Sequence, residues 1–263
     1  MDRVKSLLRF HRYFINGNKI IYTNRSIIEI CNPRIKNSII RVSNKSKLII
    51  GKNVVLENVN FNICDGSTLI ISDNCKISNS IINSIGSICI FGNGNIVQKG
   101  DMSGDVHILL RNSKLEIGSQ NRFRCEKIWV RFGGDLVIGD YNNFNEYSEL
   151  RCDEQINIGD FNQISYFVKI WDTNTHCIYT PKIRRKITID NFPNFGIEHE
   201  KPKTGPVNIG SDNWLGMNVI ILKGTVIGDR NNIGIGTVLS KEQIQSDKTV
   251  VNNSTIRILD NKM

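Results

Sequence analysis

Six aliphatic residues near the end of the chain fall at strict intervals of six: Ile209, Leu215, Ile221, Ile227, Ile233 and Leu239. Gly210, Gly216, Gly228 and Gly234 follow four of them, and Val219, Thr225 and Thr237 hold the fifth position of three hexads. A six-residue period fits neither a helix of 3.6 residues per turn nor a strand alternating every two. It fits a short strand followed by a tight corner, three times per turn of a triangular coil. The aliphatic residue then points into a narrow core, and Gly and Asn supply the cramped or positive-φ backbone of the corners. Asn in successive copies is also placed to stack into ladders along the coil.

The same phrase recurs over a longer stretch, as "IIGKN", "IISDN", "IFGNGN", "EIGSQN", "VIGDYN", "NIGDFN", "NIGSDN" and "VIGDRN". Its anchors Ile50, Ile71, Phe91, Ile117, Ile138, Ile158, Ile209 and Ile227 are spaced by 21, 20, 26, 21, 20, 51 and 18. Self-similarity at about 20 residues marks a solenoid. The spacing of 26 predicts a small bulge around "QKGDMSGD". The spacing of 51 predicts one coil plus an excursion of roughly 30 residues, the kind of segment in which function concentrates on a rigid scaffold. The expected organisation is a capping segment with a short N-terminal helix over 1–44, a β-coil over 45–241 with its excursion at about 172–206, and a tail over 242–263. The fold class is all-β.

The bulk properties narrow the partners. The formal charge of +9 suits an anionic partner, but no basic helical face or RNA-binding signature accompanies it, so nucleic acid is not expected. Seven cysteines contain no CxxC pair, which argues against a disulfide framework or zinc site and for a reducing compartment. No apolar run approaches 18 residues, and the chain reads as cytoplasmic. The opening "MDRVKSLLRFHRYFI" places Val4, Leu7, Leu8, His11, Phe14 and Ile15 along one side of a helix. That helix would cap the core; contact with a membrane surface is the alternative.

From 157 onward the order "NIGDFNQISYFVKIWDTNTH", a long loop, "GPVNIGSDNWLGMNVIILKGTVIGDRNNIGIGTVLSK" resembles the hexapeptide-repeat acyltransferases. Within them it is similar to the galactoside and maltose acetyltransferases and to the O-acetyltransferases of capsule, lipopolysaccharide and sialic acid. The resemblance implies a left-handed parallel β-helix, an exception to the right-handed crossover rule. A right-handed β-helix, with longer coils and no strict hexad, is the rival architecture. It also implies acetyl-CoA as donor, a homotrimer with active sites between subunits, a glycan acceptor and no catalytic metal. The family's histidine before the loop maps onto His176, and its tryptophan beside the groove onto Trp214. Donor contacts map onto Gly216, Met217, Ile235, Ser240 and Lys241, with Arg257 as a further phosphate contact. "NNSTIR" departs there from the family's closing motif, so Lys241 is the firmer assignment. Acceptor-side loops map onto Asn143 and Asp153.

The chemistry of His176 stands beside the resemblance. Acetyl transfer to a sugar hydroxyl removes a proton from a group whose pKa lies far above 7, and an imidazole with a pKa of ~6.5 is matched to that task. Asp172 or a loop carbonyl would fix its tautomer, and a corner backbone N–H such as that of Gly216 would serve the oxyanion. His199 is the reserve base. His107 reads as a strand residue. Trp171, Tyr179, Arg184 and Arg185 stand around His176 as acceptor contacts, the arginines suited to carboxylates or phosphates; a solvated basic loop is the plainer reading.

The function expected is acetyl-CoA-dependent O-acetylation of a bacterial surface polysaccharide, with the charge and added N-terminal coils favouring an anionic polymer. N-acetylation of an amino sugar or sugar nucleotide, and a non-catalytic β-solenoid used for binding, are the alternatives.

Overall fold

The structure, a computed structural model, describes residues 11–15, 18–23, 25–193 and 200–253. Among the described residues it is a parallel β-solenoid with one short helix, consistent with the left-handed coil that the hexads predict. Each complete coil crosses three faces. In the coil that begins at Gln155, the first face is Gln155–Ile158, the second Gln163–Ile164 and the third Lys169–Trp171. Ten first-face strands, from Ile27–Ile30 to Gln243–Ile244, pair in one parallel sheet. Parallel pairing starts at Asn18–Tyr22 and ends at Thr249–Val250, beyond both ends of the 45–241 span. The hexad aliphatics Ile209, Leu215, Ile221, Ile227, Ile233 and Leu239 are all buried in the single core.

Asparagine ladders do form, at the first corner. Asn95, Asn121, Asn142, Asn162, Asn213 and Asn231 are buried one above another. The Oδ1 of each accepts a backbone N–H from the next coil, at 2.7 to 2.9 Å. The side-chain amides of Asn121 and Asn142 donate in turn to the carbonyls of Gly139 and Gly159, at 2.8 and 2.9 Å. A second ladder runs beside it: the N–H groups of Asp140, Asp160, Ser211 and Asp229 donate to Asp160 Oδ1, Ser211 Oγ, Asp229 Oδ1 and Ser246 Oγ, at 2.7 to 3.0 Å. Corner backbone N–H groups that would be orphaned in a narrow coil are thereby paired.

The corner glycines have another purpose than positive φ. In "NIGDFN" the positive φ of 57° belongs to Phe161, and Tyr141, Asp212 and Arg230 repeat it. The glycine is needed for closeness: a Cβ at Gly139 would lie 2.0 Å from Oδ1 of Asp160 and 2.9 Å from the backbone of Gly159. The aromatic corner residues stack from coil to coil, Tyr141 on Phe161 at 5.0 Å and Tyr147 on Phe167 at 4.7 Å.

The N-terminal helix is not what residues 11–15 form. His11–Ile15 is a strand, antiparallel to Asn18–Tyr22, whose other edge pairs with Ile39–Val42. An aromatic and β-branched run closing an open sheet edge outweighs the helical periodicity; residues 1–10 lie outside the described residues. The expected bulge is a tight loop: buried Glu146 accepts the N–H groups of Asp101 and Met102, at 3.1 and 3.2 Å. The excursion interrupts no rung, since Ile158 pairs with Ile209.

Asn162→Ala removes the acceptor of Asn213 N–H and a donor to the Gly210 carbonyl. It should cost about 2 kcal/mol of unfolding free energy, against about 0.5 kcal/mol or less for the exposed Gln163→Ala on the next strand. Chemical denaturation measures both.

Candidate active site

The excursion leaves the third corner and returns to it. Thr173 and Thr204 form an antiparallel bridge, and Asn174 N–H donates to Lys203 O at 2.9 Å. Between them the chain runs through His176, which is exposed, to an α-helix, Pro181–Asn191, named α1. Sequence reasoning missed α1. Its signal was Pro181, well placed as a first helical residue, followed by good helix formers.

Asp172 holds the root of the excursion. It is fully buried; Oδ1 accepts the N–H of Asp153 and Oδ2 those of Glu154 and Gln155, each at 2.8 Å. Its own carbonyl accepts Gly205 N–H at 2.9 Å, where the excursion returns. Burial pushes its carboxyl above the ordinary value, and the backbone donors pull partly the other way. Both oxygens are thus committed to the preceding coil, and Asp172 serves the corner rather than an acceptor. Asp153 is likewise committed: it is buried and bidentate with Arg131, at 3.0 and 2.8 Å.

Beyond the excursion the same corner turns basic. Lys223 occupies it in the next coil, and Lys241, at φ 59°, in the one after. A Cβ on Gly224 would touch Lys241 Cγ at 3.2 Å, and one on Gly205 would touch Lys223 Cβ at 3.7 Å. Lys223 Nζ donates to Asn174 Oδ1. Its pKa is lowered, first by burial and then by the charges of Lys241 and Lys203. Lys203, Lys223 and Lys241 thus all stand at the neck of the excursion or in its column, and Lys203 and Lys223 were not singled out in the sequence. Repeat spacing shows which residues share a corner; it does not show where an excursion returns.

The remaining assignments divide among other places. Trp171 ends the third face; the Arg151 guanidinium lies 4.8 Å from its ring and 4.8 Å from that of Trp129, one coil earlier still. Ser240 stands in the same column, past Leu222. Trp214 is exposed on the second face, in the column of Gln163 and Asn143. Met217 and Ile235 are exposed at the second corner. Gly216 is buried there, and its N–H donates to Ile233 O at 2.8 Å, so it is not an oxyanion donor. Tyr179 donates to Glu200 at 3.1 Å; its pKa is raised by Cys177, burial and Glu200. Arg184 donates to Cys177 O at 3.5 Å, while Arg185 is exposed on α1. His199 and Arg257 lie outside the described residues. Among the described residues, no three metal-ligating side chains gather.

A coil with these ladders and an excursion of this kind defines a hexapeptide-type solenoid, and the comparisons agree with that class. No protein-family model matches the chain. A protein of Staphylococcus aureus (strain MRSA252), whose name assigns it provisionally to the acetyltransferases, is 40% identical over 63 residues, 23% of this chain and 31% of that one. The galactoside O-acetyltransferase of Escherichia coli (strain K12) is 27% identical over 122 residues, 44% of this chain and 49% of the enzyme. A crystal structure of the polysialic acid O-acetyltransferase OatWY is 19% identical with a TM-score of 0.38, covering 90% of this chain and 82% of that one. The chain is therefore homologous to acetyltransferases over part of its length, and spans a third to a half of these two sequence relatives.

Asp172→Asn replaces one accepting oxygen by an N–H₂ group facing backbone donors. It should lower Tm and speed proteolysis within 173–205. Because the folded-state pKa of Asp172 is raised, the folded chain favours its protonated form, and that stability, full below the ordinary 3.8, is lost as the group ionises with rising pH. Wild type should therefore exceed the variant by more near pH 4 than near pH 7, as thermal melts across that range will show.

Proposed function

We propose that the chain is an acetyl-CoA-dependent O-acetyltransferase acting on a glycan hydroxyl, with His176 as the base. The observation that carries this reading is the third corner, where the neck of the His176 excursion is followed at once by Lys203, Lys223 and Lys241. An extended thioester with a polyanionic tail matches that order: the acyl end lies by the histidine, and the phosphates lie by the ammonium groups.

In the reaction His176 takes the proton of the acceptor hydroxyl while its oxygen bonds to the thioester carbonyl carbon. The tetrahedral intermediate then breaks its C–S bond. The imidazolium returns the proton to the departing thiolate, leaving an acetyl ester and free CoA. Asp172 acts at one remove, by fixing the excursion's root.

Trp214, Met217 and Ile235 stand on the second face and second corner, away from the third corner. They complete the groove if a neighbouring copy brings its second corner against this third one, as in the proposed homotrimer. Trp171, Tyr179, Arg184 and Arg185 then border the acceptor, whose class the charge of +9 favours as an anionic bacterial surface polysaccharide modified in the cytoplasm.

Thiol release from acetyl-CoA with a glycan panel tests the reading. His176→Ala should lower kcat at least ~100-fold, whereas Lys241→Ala should raise KM for acetyl-CoA and leave kcat nearly unchanged. Full turnover in His176→Ala would remove it as the base. Mild alkali that failed to release acetate from the product would indicate an amide, and so N-acetylation.

A further inference from the structure

Helix α1 carries two of the proposed acceptor contacts, Arg184 and Arg185, and beyond them presents a surface that the coil leaves uncovered. None of its residues is buried. At helical spacing, Lys182, Arg185, Lys186 and Ile189 share one side, and Phe192, at the C-cap, continues it three residues on. Ile189 is 75% exposed and Phe192 73%. Ile178, just before the helix, is 86% exposed. The other side faces home: Arg184 reaches Cys177 O, and Ile187 is half-covered. The outer face carries three cations; one of them, Lys186, pairs with Asp190 at 3.6 Å.

Large apolar side chains set among Lys and Arg suit the boundary of a lipid headgroup layer, where cations meet phosphates and apolar groups enter the acyl edge. A soluble polyanion would satisfy the charges but leave Ile189 and Phe192 wet. A second copy pairing through this same face would set its own Lys182, Arg185 and Lys186 against these cations and be repelled there. No helix among the described residues is long and apolar enough to cross a membrane, so attachment through α1 would be to a surface. We propose that α1 docks flat on an anionic lipid surface, bringing the excursion to the membrane. This does not depend on the acetyltransferase reading.

Co-sedimentation of the full chain with vesicles tests it. Wild type should bind phosphatidylcholine–phosphatidylglycerol vesicles and not phosphatidylcholine alone. Lys182→Gln with Lys186→Gln should weaken partitioning by about 25-fold, roughly fivefold per charge. Ile189→Ser with Phe192→Ser should weaken it at least about tenfold. Because α1 buries nothing, far-ultraviolet circular dichroism should show all variants folded. Absence of wild-type binding to the mixed vesicles would overturn the proposal, as would equal binding by both double variants. Binding to soluble polyglutamate but not to vesicles would reassign the face to a polyanion. A change in oligomeric mass in Ile189→Ser with Phe192→Ser, with vesicle binding unaltered, would reassign it to a second copy.

Discussion

The hydrogen bond from one coil's backbone N–H to the next coil's side-chain oxygen is the interaction on which the rest of this molecule depends. A β-solenoid pairs its strands readily, but each corner turns peptide groups away from the ladder. In the first corner, Asn and Asp or Ser accept those donors in every coil from Asn95 to Asn231. The bonds are short and the asparagines are buried, so each rung fixes the height and register of the next. Glycine is required between them because the coils approach too closely for a Cβ.

A corner fixed in this way can tolerate an interruption at another corner. The excursion departs after Asp172 and rejoins before Val207, while Asn162 still bonds Asn213 and Asn157 still bonds Asn208 across it. The first corner carries the register, which leaves the third corner able to host an excursion without disturbing the rigid frame. Asp172 ties the two requirements together. Its carboxylate belongs to the coil before, and its carbonyl belongs to the returning strand.

Much of this was legible in the sequence because the hexad is a radial code. It states which side chain points inward and where the chain must turn, so the aliphatic core, the ladder asparagines and the excursion could be read directly. What it does not encode is partnership across long separations. Asp153 reads as an acceptor contact and Asp172 as the partner of a histidine, yet Arg131 claims the first and three backbone donors the second. Gly216 reads as a spare corner N–H, yet Ile233 takes it. Lys203 and Lys223 drew no notice because their place at the neck depends on where the excursion lands. At the N-terminus, periodicity suggested helix for residues 11–15, but the open edge of Asn18–Tyr22 claimed them as strand.

The account stands on the third corner as the donor site, and a crystal structure of the chain with bound CoA tests that most directly. The cofactor should run along this corner, with its sulfur beside His176 and its phosphates beside Lys223 and Lys241. Density for CoA on another face, with His176 remote from the sulfur, would contradict the account.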